Sequence, residues 1–437
     1  MWFSKRSIAR VADAVTVPAD TGVAGAEEKQ KLIAIRNPHR TFEEIPIAWH
    51  AVGEPSGDFM TDFTAMVSWC AANGNVGRHH RVSLGMEAEP YGIDVTSFPD
   101  TDAKAKALVQ HALSVVDHHK IHWSWLYQHL AEWDSRMLLL NVLAYRSLGW
   151  HYVPMPLDSQ SFWECLATLG SLAGNGLDIN DTPLAGLSPY KLNKMNLRTI
   201  GCKVELFSDP FGVFNEFIYS QYYLRGRKSV IRPQAGDCVI DCGACFGGTS
   251  LSFADAVGPK GRVISYEFFP ENIQIFKENI RLNPDLAKRV TLVPNPVWSK
   301  AGVVMSIEGY GPATQVHLQN ERSVNASGEL AGARKVSATS IDETVREYKL
   351  QKVDYIKMDI EGSELMAVRG GLDTIRKFRP TLAICVYHKL IDFFEIPQEI
   401  DKLNLGYRFY LQHSTVHGDE TVVFASARDH SNADVNT

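Results

Sequence analysis

The stretch Cys238 to Val257, CVIDCGACFGGTSLSFADAV, constrains the fold more than any other part of the chain. It is a short apolar run, then a turn holding Gly243, Gly247 and Gly248, then apolar residues at helical spacing. A buried strand that passes through a glycine turn into a helix is the opening unit of a doubly wound α/β sheet. The same texture continues to the C-terminal region. Strands are expected at Cys238 to Asp241, Val263 to Glu267, Val290 to Val293, Tyr355 to Asp359, Leu382 to Val386, Phe409 to Leu411 and Thr421 to Phe424. Helices fit between them at Gly248 to Val257, Pro270 to Leu282, Ser363 to Phe378 and Phe393 to Leu403. The last two strands are separated only by HSTVHGDE, so the expected sheet is Rossmann-like, seven-stranded and mostly parallel, with one antiparallel edge strand.

Ahead of this lies a different pattern. Leu108, Ala112, Val115, His119, Trp123, Leu126 and Leu130 recur at three- and four-residue steps, and a second helix is expected from Asp134 to Leu148, ended by Gly149. The segment His151 to Ile200 reads as connecting loops, with a hairpin-like or strand region near Lys203 to Phe207. The division that follows is a mainly helical accessory domain over 1–205, with a loosely held arm at its start, a catalytic α/β domain over 206–430 and a tail over 431–437.

Charge narrows the function classes. With 44 Lys and Arg against 50 Asp and Glu, the net charge of -6 speaks against a nucleic-acid partner. The longest apolar run, MLLLNVLAY, is far shorter than the ~20 residues needed to cross a bilayer. No membrane partner is expected, and seven cysteines, three crowded into one turn, fit a cytoplasmic protein better than a secreted disulfide framework.

The turn itself offers two chemistries. Cys238, Cys242 and Cys245 have a spacing that can hold an iron-sulfur cluster. Four strand residues at ~3.3 Å each, however, spread Cys238 and Cys242 too far apart for one compact cluster, and free Cys is commonly a core residue. Read by its glycines, the turn approaches a nucleotide-like ligand. Cys245 stands where a dinucleotide fingerprint requires its middle glycine, which disfavours an NAD-type oxidoreductase. Asp241, at the strand end, would repel a phosphate and accept a hydrogen bond from an ammonium group, which points to S-adenosylmethionine. Glu267, ending the next strand, is positioned for ribose hydroxyls.

With Asp241, Gly243, Gly247 and Glu267 in place, four segments make this region resemble the FkbM-type methyltransferases: VIDCGACFGGTSLSFA, VISYEFFPENIQIFKENI, VDYIKMDIEGSELMAVRGG, and the run from AICVYHKLIDFFEIP to GYRFYLQHSTVHGDETVVFA. The resemblance implies S-adenosyl-L-methionine as cofactor and an acceptor oxygen on a saccharide or other small molecule. It sets Asn272 near the ribose or adenine, and Asn295 and Val297 beside the adenine. At the strand ends, His388 is the leading general-base candidate, because imidazole titrates near neutrality. Asp359 and Glu361, two residues apart, are candidates to orient the acceptor or take its proton. No metal ligand is assigned, although this pair could contribute to a Mg²⁺ site. His111, His118, His122 and His129 read as one helical stripe, taken as a polar flank and not as a zinc site. The alternative outside enzymology is a catalytically silent binding module on the same fold.

Overall fold

The computed structural model describes residues 42–74, 101–226, 229–309, 311, 314–318 and 334–428. The expected arm and tail lie outside the described residues. Seven strands form the main sheet: β1 (Cys238–Cys242), β2 (Arg262–Tyr266), β3 (Val290–Val293), β4 (Tyr355–Met358), β5 (Thr381–Cys385), β6 (Arg408–His413) and β7 (Thr421–Ser426), in the order β6-β7-β5-β4-β1-β2-β3. Strands β1 to β5 run parallel, each pair joined by a crossover. The antiparallel strand is β7, and here the expectation needs correcting. It lies between β5 and β6 and is not the edge, because the short β6–β7 connection folds β7 back so that it bonds both neighbours.

Alternation along the strands divides the core. Ile240, Ile264, Ile356 and Ile384 share one cluster, whereas Val239, Val263, Tyr355 and Ala383 belong to the other. This is the period-2 arrangement expected of a sheet covered on both faces. The first cluster also contains Trp123, Leu126, Leu139 and Leu143 from the front helices, together with Phe393 and Phe409, so these helices share one core with the sheet. Each such large side chain is fully or almost fully buried, a stabilisation of about 1.5–3 kcal/mol apiece. Polar ties reinforce the contact: the amide of Leu411 donates to Ser135 Oγ at 3.0 Å, and Arg146 Nη2 donates to the carbonyls of Tyr387 (3.0 Å) and Gly418 (2.8 Å).

Three further expectations change. The presumed loops after His151 include a helix, Gln160–Gly174, whose Ser159 cap accepts from the amide of Phe162 and whose Phe162, Cys165, Leu166 and Leu169 are buried. The histidine stripe is broken: helix Thr101–Asp117 ends before His118, and a new helix, Lys120–His129, begins after His119. His122 packs against Phe394 and meets the Gln398 side chain instead of facing the other histidines as ligands. The helix expected over Ser363 to Phe378 is two, Glu364–Arg369 and Leu372–Phe378, separated at Gly370 and Gly371, where a side chain on Gly370 would run into the carbonyl of Trp298. Sequence reading also omits a three-stranded sheet, Val304–Glu308, Gln315–Leu318 and Lys335–Ser337.

Candidate functional site

The parallel strands end around a cleft open to solvent. Its wall contains Gly243, Glu267, Asn272, Asn295, Val297, Asp359 and Glu361, which are seven of the ten residues selected from the sequence. Asp241, Gly247 and His388 are not on it. The remaining wall includes Cys245 from the turn, Gly311 and Thr314 from between the first two strands of the three-stranded sheet, and Val316 from its second strand. Those last three were not foreseen, since the segment carries no chemical motif.

The turn fits closely because it has no side chains in two places. Gly243 has φ +88°, a conformation L side chains rarely adopt, and a Cβ there would enter the carbonyl of Asp359. The amides of Gly243 and Ala244 both donate to the carbonyl of Tyr266. Gly247, also left-handed, lies against the Phe276 ring and begins helix Gly248–Val257 as its cap. It shapes the turn from behind.

Asp241 departs from its expected role. Its carboxylate is completely buried, accepts from Thr249 Oγ1 (3.0 Å) and Ser250 Oγ (2.6 Å), and lies 3.2 Å from Lys357 Nζ. Lys357 in turn donates to the carbonyl of Gly243 at 2.7 Å. Burial opposes the lysine charge, but Asp241 and Asp359 outweigh it and raise the lysine pKa. The pair is thus an internal strut for the turn, and removing one partner of such a buried pair typically costs about 3–5 kcal/mol. The acid at this strand end serves the lysine on the neighbouring strand and does not reach the cleft.

At the opposite end of the cleft, Glu267 Oε1 accepts from the amides of Phe268 and Phe269, and Asn272 Nδ2 approaches Glu267 Oε2 at 3.3 Å. Burial raises the Glu267 pKa to about 7, against the lowering effect of these bonds. Asn295 Nδ2 donates to the Ser337 carbonyl at the end of the three-stranded sheet, and Val297 bridges to Thr339 just beyond it.

The strand-end cluster is denser. Tyr222 donates to Asp359 Oδ2 at 3.0 Å, while the Tyr387 hydroxyl stands 3.3 Å from Asp359 Oδ1 and 3.1 Å from Glu420 Oε1. Glu361 holds a left-handed φ of 58°, a strained conformation of the kind that collects at functional sites. His388, 9% exposed, has Nε2 at 3.5 Å from both Asp359 and Glu361 and Nδ1 at 3.0 Å from Glu364. Burial works against a charged ring, yet Glu364 and Glu361 raise its pKa well above the ordinary value. This shift favours the imidazolium form, set among three carboxylates. Ligand atoms of Asp359, Glu364 and His388 lie within 4.8 Å of one another, a spacing a metal ion can also use, but the imidazolium already brings positive charge there.

Cys238 and Cys242 point into the apolar core from β1, and burial raises both thiols, Cys238 to about 11. Neutral core thiols are poor cluster ligands, which require thiolate.

Residues 241–409 match the family model described as the methyltransferase FkbM domain. No curated protein matches the chain. Among solved structures it is similar to methyltransferase FkbM from Methylobacillus flagellatus KT, with 18% identity, a TM-score of 0.44 and 75% of this chain covered. The chain spans 65% of the length of that structure. It is also similar to Aeropyrum pernix fibrillarin in complex with natively bound S-adenosyl-L-methionine (14% identity, TM-score 0.32, covering 54% of this chain and 88% of that one).

The FkbM match begins within β1 and ends within β6. Tyr222, whose hydroxyl fixes Asp359, precedes it, and Glu420 follows it. No spacing in the sequence links either residue to the site. No helix among the described residues is long and apolar enough to cross a membrane.

Proposed function

We propose that the protein is an S-adenosylmethionine-dependent O-methyltransferase acting on a hydroxyl of a saccharide or other small metabolite. The observation carrying this reading is that one cleft joins a nucleoside-like wall, Glu267 and Asn272 beside the glycine turn, to a carboxylate wall, Asp359 and Glu361. The residues present fit the cofactor. Asn272 Oδ1 is buried and accepts no hydrogen bond from the described residues, so it offers an acceptor to a ligand donor. Glu267 Oε2 retains lone pairs for a ribose hydroxyl. The bound cofactor would supply a methyl group already activated by a sulfonium charge.

The chain's own task is to hold the acceptor in line and remove its proton, since an alcohol loses its proton as the new bond forms. Asp359 takes that proton, with its carboxylate orientation fixed by Tyr222. Glu361 orients a neighbouring hydroxyl of the acceptor. His388, held protonated, offsets the repulsion between the two carboxylates 3.5 Å from its Nε2. We assign the reaction to the cytoplasm, an assignment supported by seven free cysteines.

Calorimetry of the full chain with S-adenosylhomocysteine and, separately, NAD tests the cofactor. Micromolar binding of the first alone supports the proposal, and binding of NAD alone overturns it. Transfer of a labelled methyl group to a panel of sugars and small alcohols then tests the acceptor class; transfer to amines only would refute O-methylation.

A further inference from the structure

With Asp241 withdrawn beneath the turn, another carboxylate stands beside it. Glu216 lies in the π-helical turn Phe214–Ile218, whose position is fixed where Ser252 Oγ donates to the Glu216 carbonyl at 2.9 Å. Its carboxylate reaches the first residue of helix Gly248–Val257, and any side chain on Gly248 would overlap it. Glu216 is partly exposed and lines a second, small hollow with Tyr222 and Thr249. The two hollows meet at one bond: the Tyr222 hydroxyl donates to Asp359, which lines the main cleft.

Among the described residues no Lys, Arg or His makes an ion pair with Glu216, and the nearby lysine, Lys357, is committed to Asp241. Burial, Asp209 and Asp241 push the Glu216 pKa up to about 8 despite Lys357. An acid held in such surroundings gains most from a ligand that brings its own positive charge.

We propose that Glu216 receives the α-ammonium group at the amino-acid end of the cofactor, the role the sequence suggested for Asp241. The inference rests on the S-adenosylmethionine reading above. A carboxylate at this position also faces the positive end of a helix, and a purely helix-stabilising role predicts different binding behaviour. The amino-acid end distinguishes the two roles.

The test is calorimetry on the full chain with two ligands: S-adenosylhomocysteine, which has the ammonium group, and 5′-methylthioadenosine, the same nucleoside thioether without the amino-acid end. Glu216→Gln is expected to weaken the first by about 10- to 100-fold and the second by less than about twofold. Equal losses for both ligands, or no loss for either, would overturn the assignment. Should that variant not fold, Gly248→Ala, which displaces the carboxylate while keeping Glu216, is expected to give the same selective loss, and equal effects on the two ligands would count against the proposal. Wild-type protein that binds neither ligand defeats the cofactor reading and this inference with it. Wild-type protein that binds both equally tightly overturns this inference alone.

Discussion

The two ends of the cleft are built on opposite plans. At the Glu267 end, the polar partners are near neighbours in sequence: the amides of Phe268 and Phe269 and the side chain of Asn272. At the Asp359 end they arrive from distant segments, with Tyr222 from before the sheet, His388 after β5 and Glu420 just ahead of β7. A locally satisfied acid can bind a nucleoside with little dependence on the rest of the chain. A cluster in which His388 serves three carboxylates depends on the whole fold being assembled, and a change to one member is felt by the others.

The sharpest test of this contrast is Asp359→Asn. It is expected to lower turnover by about 10²- to 10⁴-fold while changing S-adenosylhomocysteine affinity by less than about threefold. If affinity and turnover fall together, Asp359 belongs to cofactor binding and the division fails. Next in size is Gly243→Ala, which forces a side chain into the Asp359 carbonyl at φ +88°. Chemical denaturation should show a loss of about 1–3 kcal/mol, and calorimetry a loss of cofactor affinity at both ends, because the turn belongs to both.

A smaller effect separates the ends by pH. With its pKa raised to about 7, Glu267 is mostly protonated at pH 6 and mostly ionised at pH 8. Binding of 5′-methylthioadenosine, which lacks an ammonium group and so reports on the nucleoside end, should tighten by about tenfold over that range and lose its pH dependence in Glu267→Gln. A flat wild-type profile would remove Glu267 from the ribose site. The smallest effect belongs to Asp392, raised to about 7 by burial and by Glu364. A folded-state pKa above the unfolded one means that its stabilising contribution is full at acid pH and is lost as pH rises through 7. Relative to wild type, Asp392→Asn should therefore raise Tm by about one or two degrees more at pH 8 than at pH 5. The same benefit at both pH values would show that the carboxylate is not carrying the charge.

How far the sequence could be read follows the same division. The strands of the main sheet, the glycine turn, Glu267 and Asn272 were legible because each depends on residues within one strand-turn-helix unit. Asp241 and His388 were found but their partners were not, since the lysine beside one and the carboxylates around the other come from separate strands and loops. Glu216 and Tyr222 left no local signal at all; they sit in a π-helical turn and the segment after it, and only folding brings them to the helix start and to Asp359. The helix Gln160–Gly174 did have a signal, the Ser159 cap before an apolar stripe, but it was hidden by flanking prolines and glycines that suggested loops.

From a helix far ahead of the sheet in sequence, Arg146 ties the carbonyl of Tyr387, just after β5, to that of Gly418 in the β6–β7 connection. Anyone excising residues 241–409 for a chimaera would cut away this brace together with Leu411 and β7 and leave Phe409 without its neighbours in the core. The portable unit for grafting or domain exchange is thus the long chain, with its front helices kept as part of the scaffold.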